Sequence, residues 1–153
     1  MANIIDSTPG AIVVGTCAPD LLYGTGGDNI YYGGAGNDAF VLSAKALRAS
    51  SGFCAPDHSE IQGAIVDFSG AGGWNACNND FIALTGFGAG STMTLGHYGT
   101  DCYGCIDRTM QYYTLHDTAQ NVDYTIFIHS TDGCQLSTAK GDFNFYGSTP
   151  TPV

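Results

Sequence analysis

Residues 15–23 read GTCAPDLLY, residues 24–32 GTGGDNIYY, and residues 33–41 GGAGNDAFV. Written this way the three nonamers share one frame. Each opens with glycine (Gly15, Gly24, Gly33), has Asp or Asn sixth (Asp20, Asn29, Asp38), and has a large apolar residue eighth (Leu22, Tyr31, Phe40). Six residues of Gly-rich turn leading into three of alternating strand put the middle strand side chain inward and its neighbours outward. One step back, Val13 extends the same apolar ladder, while the sixth place of that unit is Ala11. This earlier unit is expected to be a degenerate turn that caps the stack.

The nonamers resemble the hemolysin-type calcium-binding nonapeptide repeat, the RTX family. That resemblance implies a short parallel β-roll over about residues 5–42, with two units per coil and units eighteen residues apart stacked ~4.8 Å away. Asp20 would then lie beside Asp38, and two carboxylates so close repel unless a cation sits between them. Glycines let the turns direct carbonyls inward. The expected Ca²⁺ ligand set is the Asp20 and Asp38 carboxylates with carbonyls of Gly15, Cys17, Gly34 and Gly36, the six or so oxygens that calcium favours.

The middle turn reads Asp28-Asn29 where Asn-Asp is usual. Asn29 offers a neutral oxygen and Asp28 could swing in, but the turns expected on either side, at Ala11 and near Leu47, lack a matching Asp. One good calcium site and at most one weak one are expected here.

Residues 43–51 (SAKALRASS) leave the repeat and read as a short amphipathic helix covering the roll. From Ile61 the chain resembles the segment after the repeats in serralysin-type carboxy-terminal domains: Ile65-Val66-Asp67-Phe68, a Gly-rich turn, then Asp80-Phe81-Ile82-Ala83-Leu84. This implies an antiparallel β-sandwich over about 61–147, with Asp67 and Asp80 as further candidate calcium ligands or as turn-capping carboxylates. Gln111–Leu115, Tyr124–His129 and Asp142–Tyr146 alternate as strands. The expected whole is one all-β domain over 1–147, with a flexible Pro/Thr-rich tail at 148–153.

Fourteen acidic against four basic residues, net charge −10, argue against nucleic-acid partners and anionic membrane surfaces. No apolar run reaches the ~20 residues of a membrane span. The opening MANIIDSTPG has no basic region before a long apolar one, so export by another route, or an upstream portion, is expected. There is no H-E-x-x-H and no G-x-S-x-G, and the histidines (His58, His97, His116, His129) are scattered, so no enzyme activity is expected. Six cysteines (Cys17, Cys54, Cys77, Cys102, Cys105, Cys134) suggest up to three disulfides, in a pairing left open. Cys102-Tyr-Gly-Cys105 has neither a second C-x-x-C nor a His pattern to make it a zinc site.

The expected function is that of a secreted, calcium-folded structural protein, a self-assembling subunit of an extracellular filament, sheath or surface layer. Open roll ends and the apolar patch Asn3–Ile5 would supply the contacts. Two alternatives stay open. One is a calcium-dependent carbohydrate-binding or adhesion module using Trp74, Tyr98 and Tyr103; the other is the non-catalytic domain of a secreted hydrolase.

Overall fold

The computed structural model describes residues 2–56, 59–72, 79–101, 103–138 and 141–146. The strands are β1 (Ala2–Asp6), β2 (Ile12–Val14), β3 (Asp20–Gly24), β4 (Asn29–Tyr32), β5 (Ala39–Ser43), β6 (Phe53–Cys54), β7 (Glu60–Ile61), β8 (Gly63–Phe68), β9 (Phe81–Thr85), β10 (Thr92–Thr100), β11 (Ile106–Asp117), β12 (Val122–Ser130) and β13 (Phe143–Tyr146). One helix, α1 (Ala44–Ala49), follows β5. The protein is all-β, with mixed parallel and antiparallel pairing.

Two sheets hold the structure. The first, in the order β1-β3-β5-β9-β13, is parallel throughout. The second runs β10-β11-β12-β8-β4-β2, and β6 and β7 form a separate pair. The chain passes back and forth between the two large sheets, so successive strands of the nonamers land in alternate sheets. The register is the one the repeat demands: Ala2 pairs with Asp20, Leu21 with Ala39, and Ile12 with Ile30, each eighteen residues apart.

Between the sheets lies the core. Val13, Leu22, Tyr31 and Phe40, the apolar ladder of the nonamers, are each at most 1% exposed. Ladder partners extend it: Phe40 pairs with Ile82 and Ile82 with Phe143, while Tyr31 pairs with Ile65 and Ile65 with Ile128. The Tyr31 and Phe40 rings meet edge to face at 6.0 Å. Burying each such side chain contributes about 1.5–3 kcal/mol.

Antiparallel pairing over 61–147 is narrower than expected. Among the described residues β10, β11 and β12 pair that way, as does the short β6–β7 pair, while β8, β9, β12 and β13 make parallel pairs. Alternation of side chains is the same in both pairings, so it does not report direction; the connections do. β11 and β12 are joined by a tight turn with Asn121 at φ 52°, whereas β8 reaches β9 through a long crossing. β10, rich in Gly and Thr, was not anticipated.

The predicted helix is present and shorter. Ser43 is its N-cap, the side chain accepting the Ala46 N–H at 3.1 Å, and Leu47 is buried. The helix and the β6–β7 pair form an excursion between β5 and β8, so Asn29 pairs with Gly63 rather than with the neighbourhood of Leu47. The 148–153 tail lies outside the described residues.

Candidate functional site

Four times the chain crosses from the six-stranded sheet back to the five-stranded one, and each crossing ends in an aspartate at the strand start: Asp20, Asp38, Asp80 and Asp142. All four are buried, at 0–1% exposure. Carboxylates at that depth need partners, and the backbone supplies most of them.

The first three form a column. Asp38 pairs in register with Asp20, and Asp80 is next, because Leu21 pairs with Ala39 and Ala39 with Phe81. Asp38 Oδ1 accepts the Asp20 N–H at 2.8 Å, and Asp80 Oδ1 accepts the Asp38 N–H at 3.0 Å. Asp20 Oδ1 accepts the Ala2 N–H at 3.1 Å, and its Oδ2 accepts the Thr16 N–H and hydroxyl. Asp80 Oδ2 takes the Ser69 N–H at 2.8 Å. Asp38 Oδ2 alone in this column is buried with no hydrogen-bond partner among the described residues.

The two ends of the column differ electrostatically. Burial works to raise the Asp20 carboxyl, but the Thr16 N–H and hydroxyl and the Ala2 N–H outweigh it, leaving it below the usual range. Burial pushes Asp38 up to about 6, aided by the charges of Asp20 and Asp67 against the Asp20 N–H. Asp80 is pushed up to about 7 by burial, with Asp38 and Asp67 adding to it and the Asp38 and Ser69 N–H groups opposing. Burial also raises Asp142, against the N–H groups of Gly72 and Ser137 that its Oδ2 accepts.

Glycines fit the crossings against one another. A Cβ on Gly15 would run into the Gly33 carbonyl oxygen, and one on Gly34, at φ 89°, into the Thr16 carbonyl oxygen. A Cβ on Gly33 would come within 2.6 Å of Asp38 Oδ2 and 2.9 Å of the Phe40 ring. Gly36, at φ 116°, stacks on Ala18 in the same way. Of the expected carbonyl donors, Gly15 and Gly34 therefore sit within this packed edge, and Cys17 lies on its exposed loop.

Asp67 joins the same edge without entering the column: its two oxygens accept the Gly33 and Gly34 N–H groups at 2.8 and 2.9 Å. Asp132 does the equivalent one strand on, taking the Gly70 N–H at 2.6 Å. Asp28 and Asn29 sit in a crossing of the opposite sense. Asp28, at φ 52°, accepts the Ser51 N–H and hydroxyl and the Gly52 N–H, tying its turn to the segment after α1. Asn29 is buried, and its Oδ1 has no hydrogen-bond partner among the described residues.

Asp142 and Asp132 escaped the sequence reading. The signal was an Asp followed at once by apolar strand residues (Asp20-Leu21, Asp80-Phe81, Asp142-Phe143), which persists after the nine-residue frame has dissolved. Among the described residues no three His, Cys, Asp or Glu side chains converge in a metal-binding group. A cation at this edge would thus rest on one or two carboxylates and on backbone carbonyls.

The remaining candidates are dispersed. Cys17, Cys54, Cys105 and Cys134 are exposed free thiols, while Cys77, Cys102, His58 and Trp74 lie outside the described residues. His97 stacks on Tyr112 at 4.5 Å, His116 Nδ1 lies 2.6 Å from the Asp123 carboxylate, and His129 Nδ1 is 3.0 Å from the Val66 carbonyl. Arg108 covers the Tyr98 ring at 5.2 Å, whereas Tyr103 is 88% exposed. No helix among the described residues is long and apolar enough to cross a membrane.

No family model matches the chain, and neither a curated protein nor a solved structure does.

Proposed function

We propose that this chain is a short parallel β-roll of the RTX type, folded by calcium, that serves outside the cell as a self-associating structural subunit. The observation that carries the reading is Asp38 Oδ2. It is a buried carboxylate oxygen without a partner among the described residues, in a column of three aspartates at the edge where glycine turns stack. The residues present fit a calcium ion there. Asp38 supplies the free oxygen, and Gly15, Gly33 and Gly34 keep the stacked turns too close for side chains to intervene. Bound calcium would supply the positive charge that lets Asp38 and Asp80 ionise inside the fold.

Charge and edges support the rest. A chain of net charge −10 folds more readily where millimolar cations neutralise it. Both large sheets end in open strands, and Ile5, Ile12 and Val14 are more than half exposed beside one of those ends.

Calcium titration followed by far-ultraviolet circular dichroism tests the metal reading, with electron microscopy at each end of the titration testing assembly. A calcium-induced gain in β signal that Asp38→Asn removes supports the site. An unchanged response in Asp38→Asn overturns it, and a calcium-loaded protein that never associates overturns the structural role.

A further inference from the structure

The two ends of the molecule are not alike. At the β1/β2 end both sheets begin together. At the other end the six-stranded sheet overruns the five-stranded one by one strand, so that among the described residues no strand lies opposite β10 beside β13. The gap is an open groove of about 290 Å³ lined by Ser91, Thr92, Met93, Thr94, Thr138, Phe143 and Phe145. Among the described residues no strand pairs with the outer edge of β10 or of β13, where the Phe145 N–H is held only by the Asn144 side-chain oxygen at 3.0 Å. The floor is apolar: Met93 and Phe143 belong to the core, with Leu95 and Phe145 only partly covered.

We propose that this stepped end is a two-fold interface between two copies of the chain, the β10 edge of each filling the place beside β13 of the other. This rests on the self-association part of the reading above, and it says which contact is made.

Geometry decides between the ways two copies could meet. Head-to-tail stacking would require the projecting β10 to enter a recess at the β1/β2 end, where among the described residues the two sheets end together on β1 and β2. Rotation by half a turn about an axis along the strands, midway between the sheets, exchanges the sheet positions and keeps strand direction. It brings projecting β10 to recessed β13 twice over, the isologous contact commonest among oligomers.

Direction agrees. β10 is antiparallel to β11 and β11 to β12, so β10 runs as β12 does. The chain turns back between β12 and β13, so β13 opposes β10. The new pairs are antiparallel, the pairing that strand edges form most readily.

Length and chemistry agree too. β10 is regular over Thr92–Leu95 before its first irregularity, four residues against the four of β13. Neither stretch carries a carboxylate or an ammonium group, in a chain of net charge −10. One register sets Met93 and Leu95 against the second copy's Phe145 and Phe143 inside, and exposed Thr94 against the second copy's Asn144 outside.

Analytical ultracentrifugation of the calcium-loaded chain tests this in a background of Ile5→Lys with Ile12→Lys, which charges exposed positions at the opposite end. A dimer that persists in that background supports the two-fold joint. Monomer alone overturns it, because a head-to-tail contact needs both ends. Thr94→Asp with Asn144→Asp, placing like charges opposite each other twice, should raise the dimer dissociation constant about tenfold or more. Thr94→Asp with Asn144→Lys should restore it, and a dimer indifferent to both pairs sinks the proposal. Circular dichroism on the same samples separates the two readings. A calcium response without a dimer removes the interface alone, and a dimer without a calcium response removes the calcium reading alone.

Discussion

The carboxylate of Asp38 accepts the backbone N–H of Asp20 at 2.8 Å, so the sixth-place aspartates of the first and third nonamers are joined side chain to backbone. Each rung of the column thereby satisfies one strand's first N–H with the next strand's carboxylate. Among the described residues one oxygen of Asp38, Oδ2, is left without a partner.

Replacing that carboxylate separates the hydrogen bond it makes to Asp20 from the calcium binding proposed for it. Asp38→Asn keeps an oxygen for the Asp20 N–H while removing the buried charge. Its melting temperature without calcium should equal or exceed that of the parent, and its calcium-dependent rise should vanish. Asp38→Ala strands the Asp20 N–H and should cost about 1–3 kcal/mol. Thermal melts with calcium and with chelator compare the three.

The pH dependence follows from Asp38 near 6 and Asp80 near 7 in the folded protein, both above the ~3.9 of an unfolded chain. A carboxyl whose folded pKa is raised stabilises most when protonated. Its contribution is complete below about pH 4 and is lost as pH climbs through 6 and 7. Calcium-free protein should therefore melt at a lower temperature at pH 8 than at pH 5. Saturating calcium should shrink or reverse the difference, since the ion binds the ionised form. Asp20, Asp28 and Asp107, held below the usual range, set a separate loss only in stronger acid.

Glycine positions separate crowding from backbone strain. Gly33→Ala places a methyl group against Asp38 and Phe40 and should destabilise strongly, with loss of any calcium response. Gly10→Ala has φ 72° but open space around it and should cost only about 1–2 kcal/mol. Equal costs in chemical denaturation would argue against the packed edge.

Phe40→Ala empties the centre of the apolar ladder, where the ring is fully buried between Tyr31 and Phe68. A loss of about 3–5 kcal/mol is expected, read from the urea midpoint at constant calcium.

The nonamers were legible because every residue in them has one task repeated at fixed spacing. The inward Leu22, Tyr31 and Phe40 and the paired Asp20 and Asp38 could be placed by counting. Beyond Ser43 the strands keep their alternation but lose their spacing, and alternation says nothing of direction. β9 and β13 were legible as strands and illegible as members of the parallel sheet. Asp80 repeats the role of Asp38, accepting the preceding aspartate's N–H, and Asp142 opens β13 on the N–H groups of Gly72 and Ser137; their loops are long, so only the three-dimensional register brings both to the same sheet. Asp67 could be read as a calcium ligand or a turn-capping carboxylate, but the turn whose N–H groups it accepts, Gly33-Gly34 in the third nonamer, lies more than thirty residues back and no local spacing points to it.

The eighteen-residue register of β1, β3 and β5 bears on the order in which the chain folds. Those strands close short loops, whereas β13 reaches β9, and β12 reaches β8, across about sixty residues of sequence. Loop-closure entropy grows with length, and distant pairings form late unless their ends are already positioned. The nonamers can assemble first and offer β5 and β4 as templates on which β9 and β8 align. The calcium ion proposed at Asp38 would then act as the starting point of folding, where β3 and β5 first come together.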